Sequence, residues 1–170
     1  MSDMLVNLYH LKPEYQLIDS LESQGITIKR AIPAERTEVL EFVETHFSRR
    51  EVDECLAAFA NQPVTCYLAM RGKEIIGYAC YEAKAKNFFG PTGVLQEERY
   101  HGVGKALLYK SLLSMQEMGY VYAIIGWTDA GDLAFYKKTL GAILIDDDLS
   151  GIYGRLIEAT SHNKRCKASG

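Results

Sequence analysis

The chain has 170 residues, 48% of them apolar, which is enough for one compact domain or for one domain with an appendage. Its net charge of −3 is made of both signs scattered along the whole length, so no basic face marks a nucleic-acid binder. The N-terminal stretch has neither a basic start nor an apolar run, and no segment is long enough to cross a bilayer, so a cytoplasmic protein without nucleic-acid or membrane partners is expected.

Residues 1–25 read as a short N-terminal appendage. The following "ITIKRAI" puts Ile26, Ile28 and Ile32 on alternate positions, a strand closed by Pro33. Leu40, Val43 and Phe47 then recur at helical spacing. Ser48 caps a second helix with Glu51 three residues on, and Val52, Cys55, Leu56 and Phe59 form its apolar stripe. "VTCYLAM" and "EIIGYACYEA" flank the turn "RGK" as a hairpin, with Gly77 at a bulge. A strand over about 88–95 is interrupted by Gly90 and Pro91, which calls for an edge, a bulge or a bend.

A long helix follows Gly104, with Leu107, Leu108, Ser111, Leu112, Met115 and Met118 on one face and Gly119 at its end. "VYAIIGW" is a strand apolar enough to be covered on both faces. "DAGDLAFYKKTLG" is a short helix closed by Gly141, and "AILID" and "GIYGRLI" supply two last strands before a polar tail over 159–170. The sum is an α/β (α+β) chain, a mixed central sheet of about six to seven strands flanked by about four helices, with the domain proper over 26–158.

The four cysteines show no C-x-x-C pair and no ligand spacing with histidine, so neither a metal site nor a disulfide is implied. Cys55, Cys66 and Cys80 sit in apolar patterns as small hydrophobes.

"RYHGVGKAL" carries the strongest chemical signal. Glycines that lead a strand into a helix leave free N–H groups and the positive end of the helix dipole at one point, an anion site, flanked here by Arg99 and Lys105. A Walker-type loop is excluded because no glycine stands five positions before Gly104 and Ala106 replaces Ser or Thr; a dinucleotide fingerprint is excluded by Leu107 in place of its third glycine.

Arg99-Tyr100-His101-Gly102-Val103-Gly104 instead resembles the Arg/Gln-x-x-Gly-x-Gly/Ala acyl-coenzyme A loop of the GNAT N-acetyltransferase superfamily. "TGVLQEER" ahead of it resembles that family's V-x-P-x-x-R approach, and "AFYKKTLGA" its Tyr-containing helix, with Tyr136 and Gly141 in register. The chain departs from the pattern at Gln96, where proline is usual, across 129–132, where an Asn-containing loop is common, and at Ala142.

The resemblance implies an enzyme that transfers an acetyl group from acetyl-CoA, as cosubstrate, to a primary amine on a small molecule or protein. Backbone N–H groups of Tyr100, His101, Gly102, Val103, Gly104 and Lys105 would hold the pyrophosphate. The backbone at Val94 and Leu95 would hold the pantetheine arm. Tyr136 would be the general acid, since a phenol with a pKa of about 10 is protonated at neutral pH. Phe88, Phe89 and Trp127 lie on the two strands that part in that fold, and would line the acceptor pocket. Glu82, Asp129 and Asp132 are the candidate bases, each also readable as a solvated surface charge, and deprotonation through water is an equal alternative. Two other readings stay open: a catalytically silent acyl-CoA-binding regulatory module, and O-acetyl transfer. A homodimer is open too, since the family commonly dimerises.

Overall fold

The computed structural model describes residues 2–128, 130–145 and 152–157. Seven strands form one mixed sheet: β1 (Ser2–Asn7), β2 (Ile26–Arg30), β3 (Cys66–Arg71), β4 (Glu74–Tyr81), β5 (Phe88–Val94), β6 (Tyr122–Thr128) and β7 (Ile143–Leu144), in the order β2-β3-β4-β5-β6-β1-β7. Among the described residues five α-helices cover it: α1 (Tyr15–Ser23), α2 (Arg36–His46), α3 (Arg49–Ala60), α4 (Val103–Glu117) and α5 (Ala130–Leu140). The apolar residues of α1, α4 and α5 join one core cluster with Met4, Val6, Ile26 and Ile125. Those of α2 and α3 join a second cluster with Leu68, Tyr78 and Cys80, so the sheet is covered on both faces.

The local signals for α3 act as read. Ser48 Oγ accepts from the Glu51 N–H, and the Glu51 carboxylate accepts from the Ser48 N–H at 2.9 Å, a reciprocal cap. Val52, Cys55, Ala58 and Phe59 are buried beneath it, while Leu56 stays 42% exposed and drops out of the expected stripe. In α4, Leu107, Leu108, Ser111, Leu112 and Met115 are buried as expected, and Met118 is exposed at the last turn. Cys55, Cys66 and Cys80 are buried free thiols, as expected of small hydrophobes.

The expected bulges are present. β3 and β4 slip register between Ala69 and Met70, opposite Gly77 and Ile75. β5 is an interior strand whose register against β4 slips between Thr92 and Phe89, leaving Gly90 and Pro91 out of the ladder. Gly90 has a φ of +110°, which a side chain would resist, and its bond to Pro91 is cis.

The N-terminal segment is not an appendage. Met4, Val6 and Leu8 alternate and are fully buried, and β1 runs antiparallel between β6 and β7. That period-two pattern marks a half-buried strand. With α1 it supplies the fifth helix beyond the four expected. "AILID" shrinks to the two-residue β7, and "GIYGRLI" forms a short 3-10 turn over Ile152–Arg155 rather than a strand. The ladder position beside β6 is already filled by β1, and Ile152, Leu156 and Ile157 remain exposed. The tail over 159–170 lies outside the described residues.

Candidate active site

β5 and β6 run parallel but pair only at Phe88 with Ile124 and Phe89 with Ile125, then part. Beyond that point the register of β5 against β4 matters. Leu95 N–H donates to Ile76 O at 3.0 Å, which makes Val94 and Gly77 a non-hydrogen-bonded pair and turns the backbone of Val94, like that of Thr92 two residues before, toward the opening. The Leu95 amide, expected to reach a cosubstrate, is therefore spent within the sheet.

α4 begins at this opening. Gly102 caps it with a φ of +90°, and Ala106 is the first residue to close a bond back, to Gly102 O at 2.9 Å. The N–H groups of Val103, Gly104 and Lys105 thus have no partner within the helix. A Cβ on Gly102 would stand 2.7 Å from Leu17 of α1, whereas one on Gly104 would meet nothing nearer than Val94 at 3.6 Å. Arg71 grips Glu98 through two bonds, at 2.9 and 2.7 Å, and so ties the approach to the loop to β3. Arg99 Nε donates to Val94 O at 3.3 Å. Lys105, expected to flank an anion, is paired with Glu14 at 3.0 Å.

A cavity of about 590 Å³ lies in front of this helix end, lined by Val94, Arg99, Tyr100, Gly102, Gly104 and Lys105, with Tyr136 and Phe135 from α5. A second cavity of about 580 Å³ opens on the other side of β5, between its bulge and the start of α3. Phe89, Thr92, Asp132 and Tyr136 line both. Tyr136 is 8% exposed, and its hydroxyl makes no hydrogen bond to any described residue. Burial, reinforced by the Asp132 carboxylate one turn earlier, pushes its pKa well above the ordinary phenol value.

The remaining expected site residues fall elsewhere. His101 is exposed and lines neither cavity, and Val103 is buried. Phe88 lies over the bare Cα of Gly126 and lines neither cavity. Trp127 sits on β6, but its side chain and Asp129 lie outside the described residues. Glu82 is not a solvated surface charge and lines neither cavity: its side chain is 1% exposed and accepts from the Asn87 N–H and from Lys86, pinning the turn between β4 and β5.

Sequence reasoning passed over the charged wall of the second cavity, which carries Arg49, Arg50, Glu51, Glu54 and Lys84. Glu51 and Glu54, three apart on α3 beside its apolar stripe, were the available signal. Among the described residues no cluster of histidine, cysteine or carboxylate is placed to hold a metal ion, and no helix is long and apolar enough to cross a membrane.

The profile of the Acetyltransferase (GNAT) family matches residues 31–142, and the chain belongs to that family. Its fold is similar to that of a GCN5-related glucosamine N-acetyltransferase region in a fungal multi-domain GH3 beta-N-acetylglucosaminidase. The two share 16% identity over 85% of this chain and 19% of that one, with a TM-score of 0.68. A GCN5-related N-acetyltransferase from Sphaerobacter thermophilus shares 19% identity over 85% of this chain and 48% of that one, with a TM-score of 0.57. An aminoglycoside acetyltransferase from an uncultured soil metagenomic sample, solved with sisomicin, shares 16% identity over 69% of this chain and 88% of that one, with a TM-score of 0.50. This chain therefore spans less than half the length of the first two. Among curated proteins none matches the sequence at a significant level.

Proposed function

We propose that this chain transfers an acetyl group from acetyl-CoA to a primary amine, which attacks the thioester directly while Tyr136 acts as general acid. The supporting observation is that the two cavities, one ending on the free N–H groups of α4 and the other on a charged wall, share only Phe89, Thr92, Asp132 and Tyr136. Acetyl-CoA supplies the activated acyl group and the thiolate leaving group. The first turn of α4 holds its pyrophosphate, because three N–H groups and the helix dipole converge where Gly104 presents no Cβ to keep phosphate off the backbone. The backbone of Thr92 and the N–H of Val94, turned away from the β4 ladder, hold the pantetheine arm where β5 and β6 part.

At the junction, the raised pKa of Tyr136 keeps its proton available for the leaving thiolate. Asp132, exposed and without a hydrogen-bond or ion-pair partner among the described residues, accepts the proton that the attacking amine gives up. Direct attack fits the thiols as well. Cys55, Cys66 and Cys80 line neither cavity, and burial pushes the Cys80 thiol well above its usual range, which disfavours an acyl-cysteine.

Tyr136→Phe tests the reading. Thiol release with an amine panel should fall by about 10²–10⁴-fold while calorimetry finds coenzyme A binding unchanged. Full activity in the variant would remove Tyr136 from the chemistry. Coenzyme binding by the wild type with transfer to no amine would favour a silent binding module, and transfer to alcohols alone would favour O-acetylation.

A further inference from the structure

The backbone that leads into α4 has an uncommon shape. Tyr100 has a φ of +66° and Gly102 one of +90°, both in the left-handed region, and the Tyr100 side chain is fully exposed, so its own packing does not keep it there. Such a shape persists when the surroundings over-determine it.

The surroundings in question belong largely to α1. Leu17 lies directly against Gly102, since a Cβ there would stand 2.7 Å from its Cδ1. Glu14, at the N-terminal end of α1, accepts from the Lys105 ammonium at 3.0 Å. Gln24, at the other end, accepts through its carbonyl from Arg71 at 3.1 Å, and the same guanidinium holds Glu98. The helix thus reaches the loop ahead of its turn, at the turn and in the first turn of α4. It is itself anchored in the core by Leu21, which is 1% exposed. None of Glu14, Leu17 and Gln24 lines the cavity in front of α4, and all three precede the residues matched to the family, which begin at 31.

Resting on the cosubstrate reading above, we infer that α1 is a positioning element for the coenzyme A loop: Leu17 and Glu14 keep the first N–H groups of α4 aimed at the pyrophosphate without touching it. A loop already in its binding shape avoids the ordering cost that a loose one meets on binding. The fraction of molecules in that shape scales the apparent affinity. Coupling of this kind is reciprocal, so coenzyme A at the loop steadies α1 in turn.

Hydrogen exchange on the full chain, free and saturated with coenzyme A, reads that coupling. The amides of α1 should exchange more slowly with coenzyme A bound, although the helix lies outside the cavity; a merely structural helix would exchange alike in both states. Leu17→Ala should erase the slowing and weaken coenzyme A binding about tenfold by calorimetry, as expected if the competent fraction falls to about a tenth. Leu17→Met, which nearly conserves volume, should restore the affinity, and thermal melts show that both variants have folded. Unchanged α1 exchange in the wild type, or wild-type affinity in a folded Leu17→Ala, would overturn the proposal. If coenzyme A does not bind the wild type, the cosubstrate reading falls. Exchange over residues 99–105 in the free proteins then still decides whether α1 holds the loop: faster in Leu17→Ala supports it, and equal rates overturn it.

Discussion

The two cavities that meet at Tyr136 are built on opposite plans. The one in front of α4 is mostly main chain: unpaired N–H groups at a helix start, a strand backbone turned outward by its register, and glycines that let a ligand approach. The one beside α3 is mostly charged side chains, brought from α3, from the turn after β4 and from α5. A backbone site recognises what every member of a family handles and tolerates exchange of side chains around it. A side-chain site is where one chain can differ from its relatives in what it accepts.

The sharpest way to break that contrast is Gly104→Val. The backbone angle there is an ordinary helical one and the nearest contact would be 3.6 Å away, so the fold should persist while the new side chain fills the phosphate end. Coenzyme A binding should be lost by calorimetry, with little change in the thermal melt; tight binding would remove the loop from the site. Gly102→Val is the poorer probe, since its positive φ and the Leu17 contact at 2.7 Å would strain the loop itself.

At the junction, pH separates chemistry from packing. Because the pKa of Tyr136 is raised, its hydroxyl stays protonated beyond the pH at which a free phenol ionises. The kcat profile should rise as the acceptor amine loses its proton and stay level through about pH 10, the ordinary tyrosine value. A falling limb there that vanishes in Tyr136→Phe would show that burial does not hold the proton in place.

The smallest effect is expected at Ser48. Ser48→Ala removes the side-chain half of the α3 cap, which should cost about 1 kcal/mol and lower Tm by about 2–4 °C. It also loosens Glu51 and the first turn that carries Arg50. KM for the acceptor should therefore rise modestly while coenzyme A affinity stays as it was. An equal effect on both ligands would mean that the two cavities do not act separately.

Much of this was legible along the chain. The Ser48 and Glu51 cap, the Gly90 and Pro91 interruption, the glycine start of α4 and the spacing to Tyr136 are local, because caps, turns and helix starts are decided by residues within a few positions of one another. The N-terminal strand was misread because its alternation is only three apolar residues long, and its worth comes from lying between β6 and β7, far along the chain. Register was hidden as well: nothing near Leu95 announces that its amide is bound to Ile76 while the backbone of Val94 faces the opening.

The sequence by itself determined the glycine start of α4 and the place of Tyr136 on α5, since both depend on short spacings within the chain. Only the tertiary structure decided the charged wall of the second cavity. Asp132 reads as a solvated charge in the sequence, and it joins Lys84 and Arg50 in one cavity lining only where β5 and β6 part between α3 and α5.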